Sequence, residues 1–291
     1  MAPPQRRSIV ELIAGGVLDA ELAGLAWLLV EARLPLIVAG LEQGAGKTTL
    51  LEALLDFLPP TARRIDLAGE TEDFAWLPEA GALGWAGGER PAAPAEAPAI
   101  PVTPASGYLV AAEVSDHLPI YTWGAAARTL VRAASIGYGI AATIHADRLE
   151  DVHDMLRARP VGLTDDELSH LGLVLVVRVT SDEGGDLRRR VVAAHYARPV
   201  GRDGHGHTQR LPPAVLAARD EATDRLDHFA WGVMPELAIR LGRKAGDVER
   251  DAAERAALLR GLAAAGTTDR EAVRMAIAAH RSRTGADAHV H

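Results

Sequence analysis

Residues 36–51 read Leu-Ile-Val-Ala-Gly-Leu-Glu-Gln-Gly-Ala-Gly-Lys-Thr-Thr-Leu-Leu. A short apolar run, a glycine-bearing loop and then Lys47-Thr48-Thr49 opening an apolar-periodic segment predict a strand, a loop and a helix in that order. Glycines let consecutive backbone N–H groups turn inward, and a helix start adds the positive end of its dipole, so such a loop can cradle a phosphate. In that reading Gly44, Ala45, Gly46, Lys47, Thr48 and Thr49 surround the phosphate. Lys47 reaches the terminal phosphoryl groups and the Thr48 hydroxyl ligates Mg²⁺. One position departs from the usual pattern. The glycine expected five residues before Gly46 is Leu41, and Gly40 comes one residue early. The alternative is an ordinary glycine-rich turn with a solvated Lys47, but it leaves the order and context of the whole set unexplained.

Composition narrows the class. At 291 residues, with 48% hydrophobic and 24% charged residues, the chain is an ordinary globular one, large enough for one big domain or two modest ones. A net charge of −8 gives no basis for expecting nucleic acid as a partner. With no cysteine, disulfides and thiolate metal sites are excluded, as suits a reducing compartment. The stretch from Leu22 to Gly40 is the most apolar, and Glu31, Arg33 and Pro35 break it, so no membrane span is expected. The start lacks a signal-type segment, and a cytoplasmic protein is the expectation.

Capping patterns punctuate the chain, among them Ser8 with Glu11, Asp19 ahead of an apolar-faced helix, Thr164 with Glu167, and Thr268 with Glu271. Arg64–Ala68 reads as a strand leading to the acidic cluster Glu70, Glu72 and Asp73. Residues 80–106, with Pro91, Pro94, Pro98, Pro101 and Pro104, read as an extended loop. Order resumes at Tyr108–Glu113, a strand ending on a carboxylate, then a helix over 121–135. Gly139–His145 is a strand ending on histidine, followed by a helix that Asp147 and Glu150 would box. Leu173–Val179, Gly184-Gly185 and Arg188–Ala197 predict a hairpin. Strands alternating with helices predict an open, mainly parallel α/β sheet. The expected organisation is N-terminal helices over 1–34 packing on a P-loop core over 35–200, then a C-terminal helical region over 201–291.

Ligands of open α/β sheets sit beyond the carboxyl ends of the strands. Glu113 there could hold Mg²⁺ through water or orient an attacking water. His145 is either a plain hydrogen-bonding residue or a sensor of the terminal phosphate. Glu70, Glu72 and Asp73 could supply a general base, though composition alone favours a solvated loop. A metal site from His145, Asp147 and His153, or at His205 and His207, matches no strong template. Arg6-Arg7 and Arg188–Arg190 read as solvated faces rather than polyanion sites, although the second run could contact a neighbouring subunit.

The order of these motifs resembles the secretion-ATPase superfamily that powers type II and type IV secretion and type IV pili, and is nearest to its archaeal flagellar and tight-adherence pilus branch. Carrying the likeness are Ser8–Ile13, Leu25–Glu31, the P-loop, Tyr108–Val114, similar to that family's Walker B segment, and Thr143-Ile-His-Ala146, similar to its histidine box. Glu254–Leu259 and Thr268–Val273 match its final helices. The resemblance implies a RecA-like ATPase core that uses ATP and Mg²⁺ and assembles as a homo-oligomeric, hexameric ring. It also implies an inner-membrane platform protein as partner, and so a cytoplasmic place peripheral to that membrane. On matching positions, Lys47 and Thr48 take the Walker A roles, Glu113 the Walker B role and His145 the histidine-box role. Glu70 matches the acidic box loosely and is the candidate for activating water. Against the family pattern, only residues 1–34 precede the P-loop strand, and the arginine two places after the Walker B glutamate is Ser115. These departures keep a second reading open, an ATP-binding regulatory or assembly subunit without turnover. A P-loop kinase or GTPase stands third; no Asn-Lys-x-Asp guanine motif occurs.

Overall fold

The computed structural model describes residues 6–86, 102–181, 185–202, 204–205 and 207–287. Two helices come first, α1 (Ile9–Ala14) and α2 (Ala20–Glu31), each started by the cap its sequence predicts. Ser8 Oγ accepts from Glu11 N at 3.0 Å, and Asp19 Oδ1 from Leu22 N at 2.9 Å. The P-loop strand β1 (Leu36–Ala39) is buried along its whole length and leads through the loop to α3 (Lys47–Leu55). Then follow β2 (Arg63–Asp66), β3 (Gly107–Val114), α4 (Gly124–Ser135), β4 (Gly139–Ile144), α5 (Leu149–Arg157), α6 (Asp165–Leu168), β5 (Leu173–Ser181) and β6 (Leu187–Tyr196). Short β7 (Gly201–Arg202) and β8 (Thr208–Gln209) pair with each other. β9 (Ala214–Asp220), β10 (Arg225–His228), α7 (Met234–Arg240), α8 (Ala245–Ala264) and α9 (Arg270–Asp287) complete the chain.

The main sheet has eight strands in the order β10-β9-β6-β5-β1-β4-β3-β2. The five from β5 to β2 are parallel, and the β5–β6 hairpin turns the sheet antiparallel towards β10. This is an α/β, RecA-like P-loop arrangement, in which β4 stands between the P-loop strand and the strand bearing Glu113. Alternate residues of β1 feed two separate cores. Leu36 and Val38 join Trp27, Leu29, Leu50 and Leu54 on one face; Ile37 and Ala39 join Leu130, Val152 and Leu156 on the other. The first core also receives α8, which crosses α2 at Gly24. A Cβ added there would lie 2.6 Å from the Ala256 nitrogen, so only glycine admits this approach.

Several expectations are corrected. Residues 201–291 are not simply helical: β9 and β10 lie in that region and extend the main sheet beside β6. Ala214–Asp220 is alanine-rich and weakly periodic, so its strand character comes from pairing with β6 rather than from propensity. The helix expected from residue 121 begins at Gly124. Asp147 does not cap α5, whose flanking residue is Arg148; it holds Arg178 instead. In the proline-rich loop, Ala80, Leu83 and Val102 are buried against the second core, while 87–101 lie outside the described residues. Among the described residues no helix is long and apolar enough to cross a membrane.

Candidate active site at the P-loop

The loop after β1 turns through two left-handed glycines, Gly44 at φ +78° and Gly46 at φ +89°, conformations that a side chain would strain. The early glycine also has a reason. A Cβ on Gly40 would meet the Val177 carbonyl oxygen at 2.9 Å and Lys47 Cγ at 3.1 Å, so Gly40 lets the lysine stem fold close over the loop. Leu41, at the position where the usual pattern has glycine, is 46% exposed and does not fill the bend. Lys47 is buried, and its Nζ donates to the Gly40 carbonyl at 2.8 Å. Burial pushes the Lys47 ammonium below the usual lysine range, against an opposing pull from Glu113 and Glu42.

Glu113 reaches the same space because β3 is irregular there. Its register with β4 shifts between Ala111 and Val114, a bulge that re-aims the strand's last side chains. The Ala112 carbonyl freed by the bulge accepts from Thr143 Oγ1 of β4 at 2.7 Å, and the Glu113 carbonyl accepts from Thr122 N at 2.9 Å. His145, one residue beyond β4, stands edge-on to His117 with ring centres 5.7 Å apart.

These groups surround one cavity of about 840 Å³, a size that suits a nucleotide-scale ligand. Gly44, Ala45, Gly46, Lys47, Thr48 and Thr49 all line it, and so do Glu113 and His145. Glu70 does not. It is exposed, and its backbone N–H donates to the Pro119 carbonyl at 2.8 Å. Its neighbour Glu72 is buried and accepts from Ala68 N, Phe74 N and Trp76 Nε1 at 2.9–3.0 Å, so that carboxylate fixes the loop. Among the described residues Glu113 is the one carboxylate lining the cavity. No group of three or more metal-ligating side chains occurs among the described residues, the considered His145, Asp147 and His153 set included.

Sequence reading did not assign several of the lining groups to the site, among them His117, Tyr121, Arg7, Arg189, Leu12 and Val17. The arginine run that read as a solvated face divides three ways. Arg189 Nε donates to the Gly44 carbonyl at 2.8 Å; Arg190 is buried, bonded to Asp224 at 3.0 Å; Arg188 lines a second cavity beside β5. Only the three-dimensional hairpin separates them, and the available signal was the proximity of a basic run to a predicted turn.

The donor set fits a magnesium–triphosphate. The unpaired N–H groups at the start of α3 and a buried ammonium suit phosphate oxygens. The Thr48 hydroxyl and the Glu113 carboxylate are hard oxygen donors, few enough to leave Mg²⁺ its waters and phosphate ligands.

No family model matches the chain. An uncharacterized protein of Methanocaldococcus jannaschii is 28% identical over 168 residues, covering 56% of this chain and 59% of that protein. Among solved structures, the VirB11 ATPase of the Brucella suis type IV secretion system, in complex with sulphate, aligns at a TM-score of 0.38 with 21% identity, over 59% of this chain and 50% of its own. The Legionella pneumophila ATPase DotB aligns at 0.32 with 13% identity, over 80% and 55%. The chain therefore spans between half and three fifths of the length of each of these relatives, and at such TM-scores neither structure identifies it.

Proposed function

We propose that this chain binds ATP with Mg²⁺ and hydrolyses it, as a motor ATPase of secretion or pilus type. The observation that carries the nucleotide part is the convergence of the buried Lys47, the Thr48 hydroxyl and the Glu113 carboxylate on one cavity beyond the strand ends. Lys47 and the loop amides hold the phosphate tail. Thr48, with Glu113 acting through water, holds the metal, which supplies charge neutralisation at the transferring phosphoryl group. Glu113 orients a water and accepts its proton as the new P–O bond forms and the bond to the departing diphosphate breaks. His145 sits where it can hydrogen-bond the terminal phosphate and register its loss. Glu70 would join only if its loop moved against the cavity. The secretion-motor part is supported by the spread of motif likeness from Ser8 to the final helices. It carries with it a hexameric ring and a platform protein at the inner membrane.

The second reading, a nucleotide-binding regulatory subunit, is favoured by there being a single lining carboxylate among the described residues and by Ser115, which is buried where the family places an arginine. Phosphate release at saturating MgATP separates the two. Under the motor reading Glu113→Gln lowers the rate by about 100-fold or more while ATP affinity stays unchanged. Tight binding with no turnover by the unaltered chain selects the regulator. Particle mass with and without MgATP tests the ring.

A further inference from the structure

Sheet order gives the cavity two walls. Glu113 and His145 come from β3 and β4, on one side of β1, and Arg189 comes from β6 on the other. Leu12 of α1 and Val17 of the corner that follows it line the same cavity.

That corner is pinned to the sheet. Val191 N donates to the Val17 carbonyl at 2.7 Å, Arg190 Nη1 to the Gly15 carbonyl at 3.1 Å, and Arg219 Nη2 to the Val17 carbonyl at 3.2 Å. Val17 N in turn donates to the Leu12 carbonyl at 2.9 Å. Leu12 is buried and Val17 half-buried, so the corner presents a firm apolar wall. Arg189 is tethered as well, by its bond to Gly44 and by its stem, since a Cβ on Gly46 would lie 3.2 Å from Arg189 Cδ. A guanidinium held through Nε has a set plane and a face that a flat ring can cover.

Among the described lining residues, Glu113, His117 and His145 stand on the β3–β4 side. A triphosphate whose terminal group points there must leave the loop towards β6 and α1. We propose that Leu12, Val17 and Arg189 form the base-binding end of the site, with the nucleobase packed on the apolar corner and stacked on the Arg189 guanidinium. This rests on the nucleotide reading above.

The test compares MgATP with magnesium tripolyphosphate, which has the tail and no base, by equilibrium titration. The variants are Arg189→Ala, Arg189→Lys and Val17→Ala, with thermal unfolding as the folding control. Expected are a loss of about tenfold in ATP affinity for both Arg189 variants and about threefold for Val17→Ala, with tripolyphosphate affinity unchanged in all three. Full ATP affinity in Arg189→Lys, or equal losses for both ligands, overturns the stacking role and makes Arg189 a phosphate cation. An unaltered chain that binds ATP no better than tripolyphosphate also overturns it while leaving the P-loop standing. Binding of neither ligand sinks the nucleotide reading itself.

Discussion

Thr143 is fully buried in β4, and its hydroxyl bonds the Ala112 carbonyl that the β3 bulge releases from the ladder. That bond anchors the backbone immediately before Glu113. Thr143→Val keeps the volume and removes the donor, so it should cost about 1 kcal/mol in denaturant unfolding. It should also lower phosphate release by more than it lowers stability, because the backbone ahead of the carboxylate loses its anchor. At this scale the places of Lys47, Thr48, Glu113 and His145 along one cavity are legible, since two open the helix after the glycine loop, two stand at the end of an apolar strand, and strand ends face the ligand edge. Those of Arg189, His117 and Arg7 are not. Their neighbours in sequence say nothing of the cavity they line. Glu70 and Glu72 illustrate the converse: adjacent carboxylates in one acidic cluster, one exposed and the other buried as a loop fastener.

Among the elements, β10 is tied to the start of α2. His228 Nε2 lies 2.8 Å from Asp19 Oδ2, on the same carboxylate that caps the helix. Burial pulls the His228 imidazole down, but the Asp19 bond and charge outweigh it and leave it above its ordinary 6.5; the bond to His228 likewise helps hold Asp19 below its ordinary 3.8. The signs follow by linkage. The histidine's contribution is complete below pH 6.5 and fades as pH rises through its raised folded value. The aspartate's is complete above pH 3.8 and fades as pH falls through its lowered one. Melting temperature should therefore decline as pH is raised past neutrality, and His228→Gln should flatten that decline. Local capping chemistry made α1, α2 and α6 readable in advance. The strands β9 and β10, a hairpin closed by a short turn and paired to β6, were hidden because neither carries a clear β-branched or alternating pattern and alanine does not announce a strand.

Over the whole molecule, α8 and α9 are fastened to the first helices and the P-loop helix around one side chain. Trp27 is fully buried, stacked on Phe57 with ring centres 5.1 Å apart, edged by His280 and covered by the Arg255 guanidinium at 5.2 Å. Glu31 receives Arg255 at 2.6 Å and also pairs with Arg281; Arg270 pairs with Asp56 at 2.7 Å. Trp27→Ala should lower unfolding free energy by about 3–5 kcal/mol, and hydrogen exchange should rise first in α8 and α9. The same architecture has a consequence for reach. Adjacent strands are about 4.8 Å apart, so the intervening β4 sets the backbones of β1 and β3 about 10 Å from one another. That interval is a spacer one strand wide. Under the proposed reading it is the width within which a phosphorus centre and one water must fit, and residue 145, just past β4, falls between the two flanking strands.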